Sequence, residues 1–391
     1  MLLGLYITVA AVLIFRIQAE ATGYISPDSA KYLELAQNLK DGKGLYLYDG
    51  ESGRRIFFST WPVGYPVLIY VVSAVSTLSV FWASKVLNLL LLGLSFLVLR
   101  QINRKYAFIL ASVYCSYTLL EVYSFTWSEA PFLLGLLYLC YLSDKILTQE
   151  YATKSILFLF LTCFSLFLLR YIGAFSFSAP TLLAFYLYYK KRNAPALKLL
   201  AVSTILGMLA ALYLYMNYLL SGFTTGFDRM AAGTEPMGAF VSMMTEGLLN
   251  ELLLIRKYRA GNQPDYLLYI ATLLQLITVA VIITKVKKPF HLKEQTKRNI
   301  FSLTCLITAA LYFLSILLLR SISHFDDLDY RLLAPFSFLF WIGLVHVLCS
   351  LPDTSKSVVQ AKYMAFAFFL ISLLLNLPKQ YILGQLKHLL Q

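Results

Sequence analysis

Residues Ile300–Leu319, IFSLTCLITAALYFLSILLL, run for twenty positions without a charge, closed on either side by Arg298 and Arg320. A helix of that length, rising 1.5 Å per residue, crosses the ~30 Å hydrocarbon core of a bilayer. The run does not alternate polar with apolar residues, so it is no barrel strand, and its amides must be satisfied inside a helix. The same reading applies to Leu2–Phe15, Val80–Leu99, Tyr106–Phe125, Ala130–Leu142, Ser155–Leu169, Gly173–Tyr189, Leu197–Leu220, Tyr266–Thr284, Pro335–Leu351 and Tyr363–Leu377. The expectation is an all-α, polytopic transmembrane helical bundle of about eleven spans, one membrane domain over residues 1–391. With 59% apolar and 14% charged residues, no soluble domain is visible.

The net charge of +13 would suggest nucleic acid in a soluble protein. Here the basic residues report topology instead. With the N-terminus inside, the turns Arg100–Lys105, Ser143–Lys154, Lys190–Lys198, Lys285–Arg298 and Pro352–Lys362 fall on the cytoplasmic side. They hold 17 Lys and Arg in a small part of the chain, the positive-inside pattern. Ala19-Glu20-Ala21 looks like a signal-peptide cleavage site, but the basic n-region is missing, and the topology is the same with or without cleavage. All five cysteines lie in apolar runs without CxxC or metal-ligand spacing, so packing roles are expected rather than disulfides or zinc.

Two outer loops are long, residues 16–79 and 221–265, while residues 378–391 form a short tail. In the first, Ser26-Pro27 starts a helix, Ser as N-cap and Pro at N1. Ala30, Leu33, Ala36 and Leu39 then make one apolar stripe opposite Lys31, Glu34, Gln37 and Lys40, the pattern of an interfacial helix. Trp61-Pro62-Val63-Gly64-Tyr65-Pro66 reads as a rigid turn into a half-length apolar segment, Val67–Ser76, with Gly64 free to take positive φ and Pro66 suited to N1. In the second loop, the Gly- and Met-rich stretch Ala231–Met244 reads as a lid ahead of a helix over Leu248–Arg259. Both loops can equally be connectors that seal the bundle.

Asp28 falls in the first helical turn, where the dipole keeps a carboxylate ionised; it can accept a proton, hold a divalent cation, or simply cap free amides. Glu129 opens a span on the same side, where it can complement the dipole. Arg170 and Arg320 end spans there, positions that suit a snorkelling cation. Arg331 differs, because it sits at a helix N-terminus that disfavours a cation and so needs an anion. Asp326, Asp327 and Asp329 can supply one internally, and a bound phosphate is the functional alternative. His324 and the neighbouring acids match no metal-loop spacing.

In order, Pro27-Asp28-Ser29-Ala30-Lys31-Tyr32 with Gly42 and Gly44, Trp61-Pro62-Val63-Gly64-Tyr65-Pro66, Ser128-Glu129-Ala130-Pro131-Phe132, Leu169-Arg170-Tyr171 and Tyr330-Arg331-Leu332-Leu333-Ala334-Pro335 cover most of the membrane core. Their order and sidedness resemble the GT-C glycosyltransferase superfamily, of the protein mannosyltransferase and lipid A aminoarabinose transferase type. The resemblance implies an inverting transfer of a sugar from a polyprenyl-phosphate carrier to a lipid, glycan or protein hydroxyl, at the extracytoplasmic face of the plasma (inner) membrane. Asp28 and Glu129 would be the catalytic carboxylates. Arg331, Arg170 and Arg320 would hold the donor phosphate, and Tyr32, Trp61, Tyr65 and Tyr330 would line the substrate path. No cofactor is required on this reading, although a divalent cation fits Asp28.

Three departures leave the acceptor open. Ser29 stands where protein O-mannosyltransferases carry a second acid, the Trp-Trp-Asp signature of oligosaccharyltransferases is absent, and only Pro378–Gln391 follows the last span. Two rivals remain at this level: a polyprenyl-pyrophosphate glycan ligase or polymerase, which uses arginines similarly, and a transporter of a lipid-linked intermediate. The transporter would place carboxylates at mid-membrane and show an internal repeat, and neither is evident in the sequence.

Overall fold

The computed structural model describes residues 1–48, 54–148, 153–225, 235–253, 266–286, 299–322, 328–353, 355–379 and 381–384. The protein is a multi-pass, all-α membrane protein. Eight helices among the described residues are long and apolar enough to cross a bilayer: α1 (Leu2–Ala19), α4 (Val80–Ile102), α7 (Glu129–Thr148), α10 (Asn193–Ser221), α12 (Tyr266–Val286), α13 (Ile300–Ile322), α14 (Tyr330–Ser350) and α15 (Lys356–Leu375). The other expected spans are also helical, but shorter or broken. Ser155–Leu169 lies in α8 (Thr153–Leu169), and Gly173–Tyr189 is a 3-10 stretch running into α9 (Ser178–Tyr189). Tyr106–Phe125 divides into α5 (Ala107–Ala111) with its 3-10 extension to Cys115, and α6 (Tyr117–Ser124), bent by 74°.

That break centres on Ser116, whose extended backbone (φ −67°, ψ 151°) interrupts the helix without Gly or Pro. Beside it a buried carboxylate intrudes. Glu251, on α11 (Met237–Leu252), accepts hydrogen bonds from the Thr118 hydroxyl at 3.0 Å and from that of Ser337. The segment between α10 and α12 differs from its sequence reading, since α11 takes in residues 237–244 of the Ala231–Met244 stretch, of which 231–234 lie outside the described residues. Met243 and Met244 pack against the core, and a Cβ at Gly247 would collide with the Leu328 carbonyl, so α11 is clasped to the entry of α14. Residues 254–265 and His324 to Asp327 lie outside the described residues.

The interfacial helix is α2 (Pro27–Lys40), capped as expected by the Ser26 hydroxyl, which accepts from the Ser29 amide at 3.2 Å. Its charged side is exposed, and of the expected stripe Ala36 is buried, Leu33 and Leu39 are half-buried and Ala30 is exposed, the fully buried face being shifted toward Asp28, Tyr32 and Leu35. The shift has a cause: the Tyr32 ring packs tilted against Trp61 and edge-on against Tyr65, both ring pairs at 5.3 Å, and a large aromatic removes more surface from water than Ala30 can. Next comes a small antiparallel hairpin, β1 (Tyr46–Tyr48) with β2 (Arg55–Phe57), which pairs Tyr46 with Phe57 and which the helical reading did not anticipate. Helix α3 (Gly64–Ser76) then packs on α2, α4 and α8. Gly64 has no positive φ; the constraint is proximity, because its Cβ would lie 2.5 Å from the Leu168 carbonyl oxygen at the end of α8. Pro66 is accordingly the third residue of α3, not the first.

Helix α7 is the hub, in contact with α4, α8, α13 and α14. All five cysteines are buried and free. At the end of the bundle opposite Glu129, the turn after α4 meets the turn before α15. Asp353 there accepts from Tyr106 at 2.6 Å and from Lys362 at 2.7 Å, and also pairs with Lys105. Lys105 and Lys362 hold the Asp353 carboxyl well below the usual carboxylate range. Both turns belong to the set that the charge pattern assigns to the cytoplasm. A lone cysteine at Lys285 is therefore expected to stay shielded from an impermeant maleimide in intact cells, while one at Lys43 labels. The reverse pattern would put α2 in the cytoplasm.

Candidate functional site

Four segments far apart in sequence converge at the end of α7. Glu129, the first residue of α7, is wholly buried. Its Oε1 accepts from Arg331 Nε at 2.6 Å and pairs with the Arg170 guanidinium. Arg170 follows α8, and Arg331 is the second residue of α14. Arg331 also pairs with Asp28 of α2, Nη1 to Oδ2 2.6 Å. The carboxylates that meet Arg331 among the described residues are Asp28 and Glu129. Asp329 serves the backbone, its Oδ1 accepting from the amides of Arg331 and Leu332 as the N-cap of α14. The N-cap of α2 is Ser26, and Asp28 lies in the first turn. Two carboxylates and two guanidinia make a compact, charge-balanced cluster in which the arginines' donors are shared rather than spent on helix ends.

Aromatic residues frame this cluster. The Arg331 guanidinium lies 4.7 Å from the Trp127 ring, which stacks on Phe125 at 3.9 Å and donates from Nε1 to Ser26 at 2.8 Å. Trp127 therefore ties the start of α2 to the start of α7, a role that its place in the Trp127-Ser128-Glu129 motif did not reveal. Tyr32 and Tyr65 are fully buried beneath the half-exposed Trp61, so in this structure they support that ring rather than present a surface. Burial pushes the Tyr32 phenol up to about 12, with the nearby Glu129 charge acting in the same direction, and the phenol donates to Ser128 at 3.3 Å. Tyr330 stands beside Trp127, ring centroids 6.2 Å apart. Lys31, one turn beyond Asp28, is exposed, with its ammonium 5.3 Å from the Trp61 ring.

Arg320 lies apart from this arrangement. Its buried side chain pairs with Glu235 at 3.0 Å, a partner from the second outer loop that the sequence reading did not consider. Among the described residues no group of three or more His, Cys, Asp or Glu is assembled.

A cleft of about 780 Å³ runs along the bundle between α4, α7 and α8. Its lining includes Pro131, two residues after Glu129, and Leu169, the residue before Arg170, and Leu94, Leu97, Leu134, Tyr138, Leu161 and Leu166 line its walls. The α7 lining from Pro131 to Tyr141 covers about 15 Å at 1.5 Å per residue, half of the hydrocarbon thickness. No known family profile matches the sequence, and no curated protein does. Solved structures do. Crystal structures of ArnT from Cupriavidus metallidurans, in the apo state and bound to undecaprenyl phosphate, are each 14% identical and cover 95% of this chain and 76% of theirs, with TM-scores of 0.43 and 0.46. At this identity and overlap the similarity is loose, and the site stands on its own contacts.

Proposed function

We propose that the protein is a GT-C-type glycosyltransferase that moves a sugar from a polyprenyl-phosphate carrier to an acceptor hydroxyl at the extracytoplasmic membrane face, with inversion. One observation carries the reading: Asp28, Glu129, Arg170 and Arg331 meet in a single cluster, and the helices that carry Glu129 and lead to Arg170 also wall a mostly apolar cleft. A carrier needs that combination, cations for its phosphate and a lipid-facing channel for its tail.

The resting ion pairs supply the mechanism. A donor phosphate competes with Asp28 for Arg331, and as the guanidinium turns to it the carboxylate is freed to take a proton. The acceptor oxygen then forms its bond to the sugar's anomeric carbon while its proton passes to Asp28. The bond from that carbon to the phosphate oxygen breaks, and polyprenyl phosphate leaves with the electron pair, stabilised by Arg331. One displacement from the opposite face inverts the centre. Glu129, held by both arginines, orients them, and Lys31, whose ammonium lies over Trp61, adds a cation that pairs with no carboxylate among the described residues. Positioning and charge stabilisation do most of the work. The whole chain, residues 1–391, acts as one membrane domain.

The test uses protein in lipid vesicles with labelled polyprenyl-phosphate and polyprenyl-pyrophosphate sugars, and membranes of the producing cells as acceptor. Transfer is expected from the monophosphate only. Arg331→Ala raises the donor KM roughly 10- to 100-fold, the worth of a charge-assisted hydrogen bond, and Arg331→Lys restores part of it because a point charge lacks the fork. Transfer from the pyrophosphate alone would identify a glycan ligase instead.

A further inference from the structure

A second cavity, of about 520 Å³, opens between α11 and the entry of α14. Ala239, Ser242, Met243, Glu246 and Asn250 recur along one face of α11, the spacing that puts helical residues on a common side. Opposite them stand Asp329 and Tyr330. Tyr330 is a shared wall: one neighbour in sequence, Arg331, holds Asp28, and its ring is 6.2 Å from Trp127. Tyr330 thus lies between the cavity lining and the residues that frame the charged cluster. The clasp of Gly247 against Leu328 fixes α11, so the cavity is a preformed feature.

Its lining specifies a ligand class. The cleft between α4, α7 and α8 is almost wholly hydrocarbon, whereas this cavity mixes carboxylate, amide, hydroxyl and one aromatic ring. Such convergent polar groups beside a ring match a polyhydroxylated ligand, and the volume falls in the range of small-molecule sites, room for about one or two sugar rings. Glu235, Glu246 and Asp329 line the cavity, and Arg320 is already engaged by Glu235, so an anionic ligand is disfavoured. We infer that this cavity binds the acceptor, and that the acceptor is an uncharged carbohydrate rather than a phosphorylated glycan or a lipid. The inference rests on the transferase reading for the word acceptor, but not for the binding.

Because every native cysteine is buried, a single Ser242→Cys in the full chain reports on the cavity. Millimolar cellobiose or chitobiose is expected to slow its maleimide labelling severalfold, glucose 6-phosphate is not, and adding Glu246→Ala removes the protection. Ala239→Cys, on the same wall, serves as a second reporter should Ser242→Cys misfold. Thr245→Cys, exposed and outside the lining, should be unaffected. Labelling unchanged by both disaccharides, equal protection by the phosphorylated sugar, or equal slowing at Thr245→Cys would each overturn the inference. The readout needs neither donor nor turnover. Failure of the donor assay with protection intact removes the catalytic reading, and the converse removes only this cavity.

Discussion

Asp28→Asn is expected to lower transfer by roughly 10²–10⁴-fold, the contribution of a general base, while folding and donor affinity stay close to wild type. The side chain keeps its size, and the helix start does not depend on it, because the Ser26 hydroxyl already takes the Ser29 amide. The substitution removes the negative partner of Arg331, which retains Glu129 at 2.6 Å. Donor affinity should therefore hold or improve slightly, since phosphate no longer competes with a carboxylate. Single-turnover measurements separate the two quantities. Near wild-type turnover of purified Asp28→Asn would remove Asp28 from the chemistry.

Glu129→Ala should fail differently. Glu129 has no exposed surface, and its removal leaves Arg170 and Arg331 facing each other with one carboxylate between them. Breaking a buried pair from one side costs roughly 3–5 kcal/mol, because the remaining charge stays buried. A large drop in the thermal midpoint in detergent is expected, and the fraction that stays folded should bind the donor more weakly because its arginines are no longer oriented. Adding Arg170→Met should recover part of the stability, since it removes the charge left without a partner. A stable but inactive Glu129→Ala would instead make Glu129 a reacting carboxylate.

How far the fold could be read depended on whether its causes were local. Ile300–Leu319 announces a span because length and apolarity are properties of the segment, and Ser26-Pro27 announces a helix start because a cap acts within one turn. The break at Ser116 had no such signal: no Gly or Pro marks it, and Glu251, which lies against it, comes from a distant loop. The turn of α2 about its axis was hidden likewise, as it depends on Tyr32 finding Trp61 and Tyr65. At the candidate site, the electrostatic discomfort of Arg331 was legible, and so was its demand for an anion. Which acid meets it was not, because Asp329, the nearest described acid in sequence, caps the backbone, and the partners are Asp28 and Glu129. Arg320 looked equivalent to Arg170 for the same reason: both end outer-side spans, and only packing sends one to Glu129 and the other to Glu235.

The span of chain between Glu129 and Arg331, 202 residues, sets a schedule for the ribosome. At about 5–20 residues per second, α14 emerges roughly 10–40 s after α7. Through that interval Glu129 has only Arg170 to accompany it into the lipid. Arg170 arrives soon after on the next helix, so the nascent hairpin of α7 and α8 enters with its charges already matched. Arg331 comes late, into a half-neutralised pocket that attracts it, and its arrival locks the first loop through Asp28. On this timetable α14 closes the centre that α7 and α8 began.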